Sequence, residues 1–173
     1  MKRLLLGLLT SLLMACGGGQ IILPPSTNTT STTEMPKQPI TGFTRDAWHL
    51  DIDNNQWQVL RLEPETLLLV STDQKTSLAV MQKKFEAPLP AFAAMEHQGL
   101  LAHKLDVSPL TTIAVNQITA MQMRVVYGKT YVVVDMFATG HHAIMLGCGG
   151  LLIDESFNTP RCQDVLNHLH LTE

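Results

Sequence analysis

Aromatic side chains make up only 5% of this 173-residue chain, too few for a carbohydrate-stacking surface and better suited to an aliphatic interior. Basic residues are not in excess, with 12 Lys and Arg against 15 Asp and Glu, which argues against nucleic acid as a partner. No apolar run approaches the roughly 20 residues that a membrane-spanning helix needs. Gly-x-Ser-x-Gly, the phosphate loop, Cys-x-x-Cys and the usual metal-ligand spacings are all missing. The expectation is therefore a protein that is not an enzyme, with no catalytic residue, no resident metal and no cofactor.

What is present begins at residue 2. Lys2 and Arg3 precede an apolar run from Leu4 to Met14, then comes Leu13-Met14-Ala15-Cys16 followed by glycines. As a helix Leu4–Ala15 covers about 18 Å against a hydrocarbon core of about 30 Å, so the segment reads as an export signal. The segment resembles the signal of bacterial lipoproteins, whose motif is leucine, a variable residue, a small residue and cysteine. That resemblance implies diacylglyceryl attachment to the Cys16 sulfur, cleavage after Ala15 and acylation of the new amino terminus. A plain secretory signal with an incidental Cys16 is the alternative. Several acyl chains anchor stably where one does not. Gly17 is not the aspartate that favours inner-membrane retention in this family, so the outer membrane, facing the periplasm, is expected.

Without Lys2 and Arg3 the chain keeps 10 basic against 15 acidic residues, a formal charge of −5. Residues 16–41 are rich in Gly, then Ser, Thr and Asn, with prolines at 24, 25, 36 and 39 and Ile21, Ile22 and Leu23 as a short apolar cluster, a composition that buries too little to fold. They read as a tether of about 25 residues with a reach of about 25–30 Å. Residues 42–173 form one globular domain, long enough for a proper core.

Within that domain Trp48–Ile52 and Trp57–Leu62 alternate at period two around Asn54-Asn55. Thr66–Ser71 and Ser77–Gln82 are strand-length apolar runs. A helix is expected over Ala91–Leu105, with Phe92, Met95, Gly99 and Ala102 on its apolar face and Glu96, His97 and Lys104 elsewhere. Strands follow at Thr111–Ile118, Ala120–Tyr127, Thr130–Ala138 and His141–Cys148, joined by loops short enough to force antiparallel pairing. A last helix is expected to start at Pro160, capped by Thr159, with Cys162, Val165, Leu166 and Leu169 in one stripe. The fold class is thus α+β: an antiparallel sheet meander with a long central helix and a C-terminal helix packed on the sheet.

Trp57 after an extended start, the central helix, the strands ending at Leu146, and Glu155-Ser156-Phe157 leading into the last helix together resemble the PsbP-like/DcrB-like fold. The likeness rests on element order over residues 42–173. Members include the oxygen-evolving extrinsic protein of photosystem II and a bacterial lipoprotein. The resemblance implies an assembly or accessory role and carries over no site residue.

With Cys16 lipidated, Cys148 and Cys162 remain in an oxidising compartment, and a structural disulfide between them is expected. It would pin an irregular segment over residues 149–159. A redox-active pair or two buried thiols are the alternatives. Gly147-Cys148-Gly149-Gly150 could also place a nucleophile in a flexible turn beside His141 or His142, although glycines at a strand end more simply make a turn. His141, His142, His168 and His170 could be metal ligands, but neighbours on a strand and i,i+2 pairs on a helix diverge. His168 is better placed to meet a helix C-terminus. Glu63/Glu65 and Asp154/Glu155 read as solvated loop charges, with a calcium site as the alternative.

The expected function is a membrane-anchored, periplasm-facing lipoprotein that binds or scaffolds an envelope protein partner. The alternative is a periplasmic lipoprotein for a small ligand or metal. A cleft lined by His97, His103 or His141 with methionines would favour the ligand, and one exposed apolar patch would favour the scaffold.

Overall fold

The computed structural model describes residues 41–172; the signal of residues 1–15, Cys16 and the tether up to residue 40 lie outside the described residues. Among the described residues there are eleven strands, arranged as two antiparallel sheets, and two α-helices. The small sheet joins β1 (Thr41–Thr44), β2 (Trp48–Ile52) and β11 (Leu169–Leu171) in the order β1-β2-β11. The large sheet is built from β3 (Trp57–Glu63), β4 (Thr66–Ser71), β5 (Thr76–Lys84), β6 (Asp106–Val107), β7 (Thr111–Val115), β8 (Ile118–Tyr127), β9 (Thr130–Thr139) and β10 (His142–Leu151). Its order is β3-β4-β5-β10-β9-β8-β6, with β7 also paired to β8. Two helices complete an α+β architecture: α1 (Leu89–Ala102) and α2 (Glu155–Asn167), the latter preceded by a 3-10 turn at Leu152–Asp154.

The large sheet is buried on both faces, which is why its central strands read as nearly continuous apolar runs rather than alternating ones. Leu67, Leu69, Leu78, Val80, Ile144 and Leu146 point to one side and join Trp48, Leu50, Val165, Leu166 and Leu169 in a core beneath α2 and the small sheet. Ala79, Met81, Val132, Val134, Met136 and Met145 point to the other and meet Phe92, Ala93 and Leu100 of α1. At the free edge, Val59, Leu60 and Leu62 of β3 are exposed, and a bulge between Val59 and Arg61 breaks the regular register that a further strand would need.

Several local expectations need correction. Helix α1 runs two residues earlier and stops at Ala102, because Pro88 and Pro90 start it rather than precede it. Its buried face is Phe92, Ala93 and Leu100, with Glu96 and His97 half-buried, whereas Met95 and Gly99 are exposed. The break between β7 and β8 falls at Asn116-Gln117, both at positive φ, a two-residue turn set between Val115 and Ile118. Helix α2 begins at Glu155, so Pro160 lies inside it and Thr159 is not its cap; Thr159 Oγ1 instead donates back to the Glu155 carbonyl at 2.8 Å. Leu169 is not the fourth residue of a helical stripe but a buried residue of β11, paired with Leu50.

The glycines around Cys148 are also not a turn. β10 runs straight through to Leu151, and residues 149–159 are strand, 3-10 turn and helix rather than an irregular segment. A Cβ at Gly149 would collide with the Tyr131 carbonyl of the neighbouring strand. One at Gly150 would collide with the Lys75 carbonyl and the Asn158 amide. Those glycines let β10 and α2 close on their neighbours, and Asn158, fully buried, completes the junction by accepting from Thr76 Oγ1 at 2.8 Å and donating to the Lys75 carbonyl at 3.1 Å.

Candidate functional site

Between α2 and the sheet lies a cleft of about 200 Å³ lined by Gln122, Tyr131, Val133, Asp135, Cys148, Thr159, Cys162, Gln163 and Leu166. Its floor comes from alternate residues of β9, since Tyr131, Val133 and Asp135 share one face of a strand. Its roof comes from Thr159, Cys162, Gln163 and Leu166, which share one face of a helix at spacings of three and four. A disulfide joins Cys148 of β10 to Cys162 of α2, with Cα atoms 5.7 Å apart, and fixes roof to floor on one side. On the other side Arg124 of β8 donates to both carboxylate oxygens of Glu155, each at 2.7 Å.

Asp135 dominates the electrostatics of this cleft. It is 4% exposed, and Gln122 Nε2 donates to its Oδ1 at 2.8 Å. Burial pushes its carboxyl up to about 6, with the Gln122 hydrogen bond opposing the shift. Tyr131 is raised mainly by burial, and its hydroxyl reaches the Glu155 carbonyl at 3.5 Å. Arg124, stacked 5.6 Å from the Tyr131 ring centre, holds the Glu155 carboxyl below its usual range.

A second feature lies at the end of the domain where β10 passes into α2. Ile153 is 87% exposed and Phe157 51%, large values for side chains of this size. Lys75 and Arg161 sit 5.2 and 4.8 Å from the Phe157 ring centre. Lys75 approaches Asp154 at 3.8 Å and Arg161 contacts Asp73 at 2.9 Å, so charged pairs rim the apolar residues. Arg161 holds the Asp73 carboxyl far below its usual range, with Ser71 also donating to it.

The histidines do not gather. His97 Nε2 meets the Ser108 carbonyl at 3.0 Å, His103 caps the end of α1, and His141 lies in the β9–β10 turn. His168 stands at the C-terminus of α2 with Nδ1 2.7 Å from the Asp164 carbonyl, while His170 stacks on His49 at 6.3 Å. Met81, Met123, Met136 and Met145 are buried under α1, not in a cleft. Among the described residues no three His, Cys, Asp or Glu side chains come together as a metal site. Asp154 and Glu155 are engaged with Lys75 and Arg124 rather than with each other.

Asp135, Gln122 and Tyr131 escaped the sequence reading. One signal was present: Asp135 is the single charge in Tyr131–Phe137, inside an otherwise apolar strand, and a carboxyl there must be buried or the strand must be an edge. Cys16 lies outside the described residues.

No family model matches the chain, and no curated protein matches it. Solved structures do. A crystal structure of a Bacteroides thetaiotaomicron VPI-5482 protein aligns with a TM-score of 0.53 at 9% identity, covering 73% of this chain and 45% of that one. This chain thus spans under half the length of that protein. The solution structure of cyanobacterial PsbP (CyanoP) from Synechocystis sp. PCC 6803 aligns with a TM-score of 0.60 at 6% identity, over 83% of this chain and 98% of that one. The chain therefore has a PsbP-like fold.

Proposed function

We propose that this protein is a lipoprotein, anchored through Cys16 to the outer membrane and facing the periplasm, that serves as a binding or scaffold subunit of an envelope assembly. The observation that carries the reading is the exposed pair Ile153 and Phe157 inside a rim of Lys75, Asp73, Asp154 and Arg161. An apolar centre with a charged rim is the anatomy of a protein-docking surface. Phe157 is held ready by the two cations on its ring, which lowers the ordering cost of binding.

Lipidation and docking are tested separately. Cys16→Ser should move the protein from the membrane to the soluble periplasmic fraction, and retention in the membrane would overturn the anchor. A photo-crosslinking side chain placed at residue 153 should give a discrete adduct with an envelope protein, lost on Phe157→Glu. The same adduct from residue 104, on the far side of the domain, or none from residue 153, would overturn the docking role. Of the alternative reading, the metal half has no cluster to stand on among the described residues, whereas the small-ligand half has the Asp135 cleft.

A further inference from the structure

The cleft beneath α2 has an unusual imbalance. Its polar residues spend hydrogen-bond donors inside the protein: Gln122 Nε2 gives one to Asp135, Gln163 Nε2 one to Asn167 Oδ1 at 3.3 Å, and the Thr159 and Tyr131 hydroxyls both point theirs at the Glu155 carbonyl. The carboxyl of Asp135, 4% exposed, has one donor among the described residues, Gln122, for two oxygens that can accept about four hydrogen bonds. No cation of the protein lines the space, because Arg124 is committed to Glu155.

From this we infer that the cleft is a binding site for a small organic cation, a primary alkylamine whose ammonium group meets the Asp135 carboxylate while its carbons lie against Val133, Leu166 and the Cys148–Cys162 disulfide. An ammonium group supplies a positive charge and three donors, which suit a buried carboxylate that takes a single side-chain hydrogen bond from the protein. A divalent metal is disfavoured, since one carboxylate without further charged ligands leaves half of the ion's charge unbalanced and supplies too few oxygen ligands. An anion would meet a buried carboxylate with no compensating base. At about 200 Å³ the space falls below the roughly 300–1,000 Å³ of drug-sized sites, which limits the occupant to a short chain. The site is independent of the docking surface, since it uses the face of α2 turned to the sheet.

The test is a titration of the full-length protein in detergent with n-butylamine, 1-butanol and butyrate at neutral pH, read by NMR on the methyl groups of Val133 and Leu166. Butylamine should give a saturable shift; butanol and butyrate should not. Asp135→Asn keeps the acceptor that Gln122 needs and should weaken butylamine by about 10- to 100-fold, the size of a charge-assisted hydrogen bond. Val133→Phe fills the cleft without touching the carboxyl and should abolish the shift, which keeps the inference testable if the Asp135 variant does not fold. No saturable shift from butylamine, equal binding of butanol, or unchanged binding in a folded variant would each overturn it. Loss of the crosslink at residue 153 would leave this titration untouched.

Discussion

Arg124 on β8 and Glu155 in the first turn of α2 form a two-pronged ion pair, both contacts at 2.7 Å, that fixes the helix start over the sheet. Planar guanidinium and carboxylate meet in the geometry that suits both. The side chains remain 38% and 32% exposed, so water screens much of the attraction.

Glu155→Gln should accordingly cost no more than about 1 kcal/mol at neutral pH. Because Arg124 lowers the Glu155 carboxyl, the contribution is present above the ordinary glutamate value near 4.5 and fades as pH falls through the lower folded value. Urea unfolding of wild type and variant should converge in acid. A gap that persists at pH 2 would show that the loss is one of packing instead.

Asp135 has the opposite sign. Its folded carboxyl titrates near 6 against 3.8 in the unfolded chain. The folded state therefore holds the extra proton between these values, and stability falls as pH rises from about 4 to 6, by about 3 kcal/mol in all. Asp135→Asn should stabilise the protein by up to that amount at pH 7.5 and by little at pH 4. Denaturant midpoints at the two pH values check this, and equal shifts at both would contradict it.

Reduction, or Cys148→Ser with Cys162→Ser, opens a loop of sequence separation 14 and should lower stability by about 3 kcal/mol in the chain-entropy account. The expected readout is a lower urea midpoint with a larger slope.

Two glycine substitutions should diverge. Gly149→Ala drives a methyl group into the Tyr131 carbonyl of a central strand and should cost at least about 3 kcal/mol or prevent folding. Gly99→Ala, with open space around the new carbon on α1, should stabilise by about 0.5–1 kcal/mol. Thermal melts of the pair suffice.

The strands were legible because period two and short loops state themselves within a few residues: β4 spans the same residues in sequence and structure, Thr66–Ser71. The α1 face was not, because its sequence is apolar nearly all round and only tertiary packing decides that Phe92, Ala93 and Leu100 turn inward. Pro160 misled for a physical reason. Proline fits the first turn of a helix, yet at its actual place the lost hydrogen bond would have been to Ser156, on the exposed side of α2. The Asp135 cleft depends on β8, β9, β10 and α2 converging, and no local window holds Gln122, Asp135 and Cys162 together.

β1 is hydrogen-bonded as a strand only to β2, through the register Thr41–Ile52 to Thr44–His49, and takes no share in the large sheet. Mechanical load drawn through Thr41 therefore reaches a single hairpin, and reaches it at the open end, where the hydrogen bonds break in succession rather than together. Peeling those four residues would lengthen the chain by about 14 Å while the strands carrying Asp135 and the disulfide stay paired. The small sheet acts in this sense as a yielding link, so a pull on Thr41 need not disturb the cleft beneath α2.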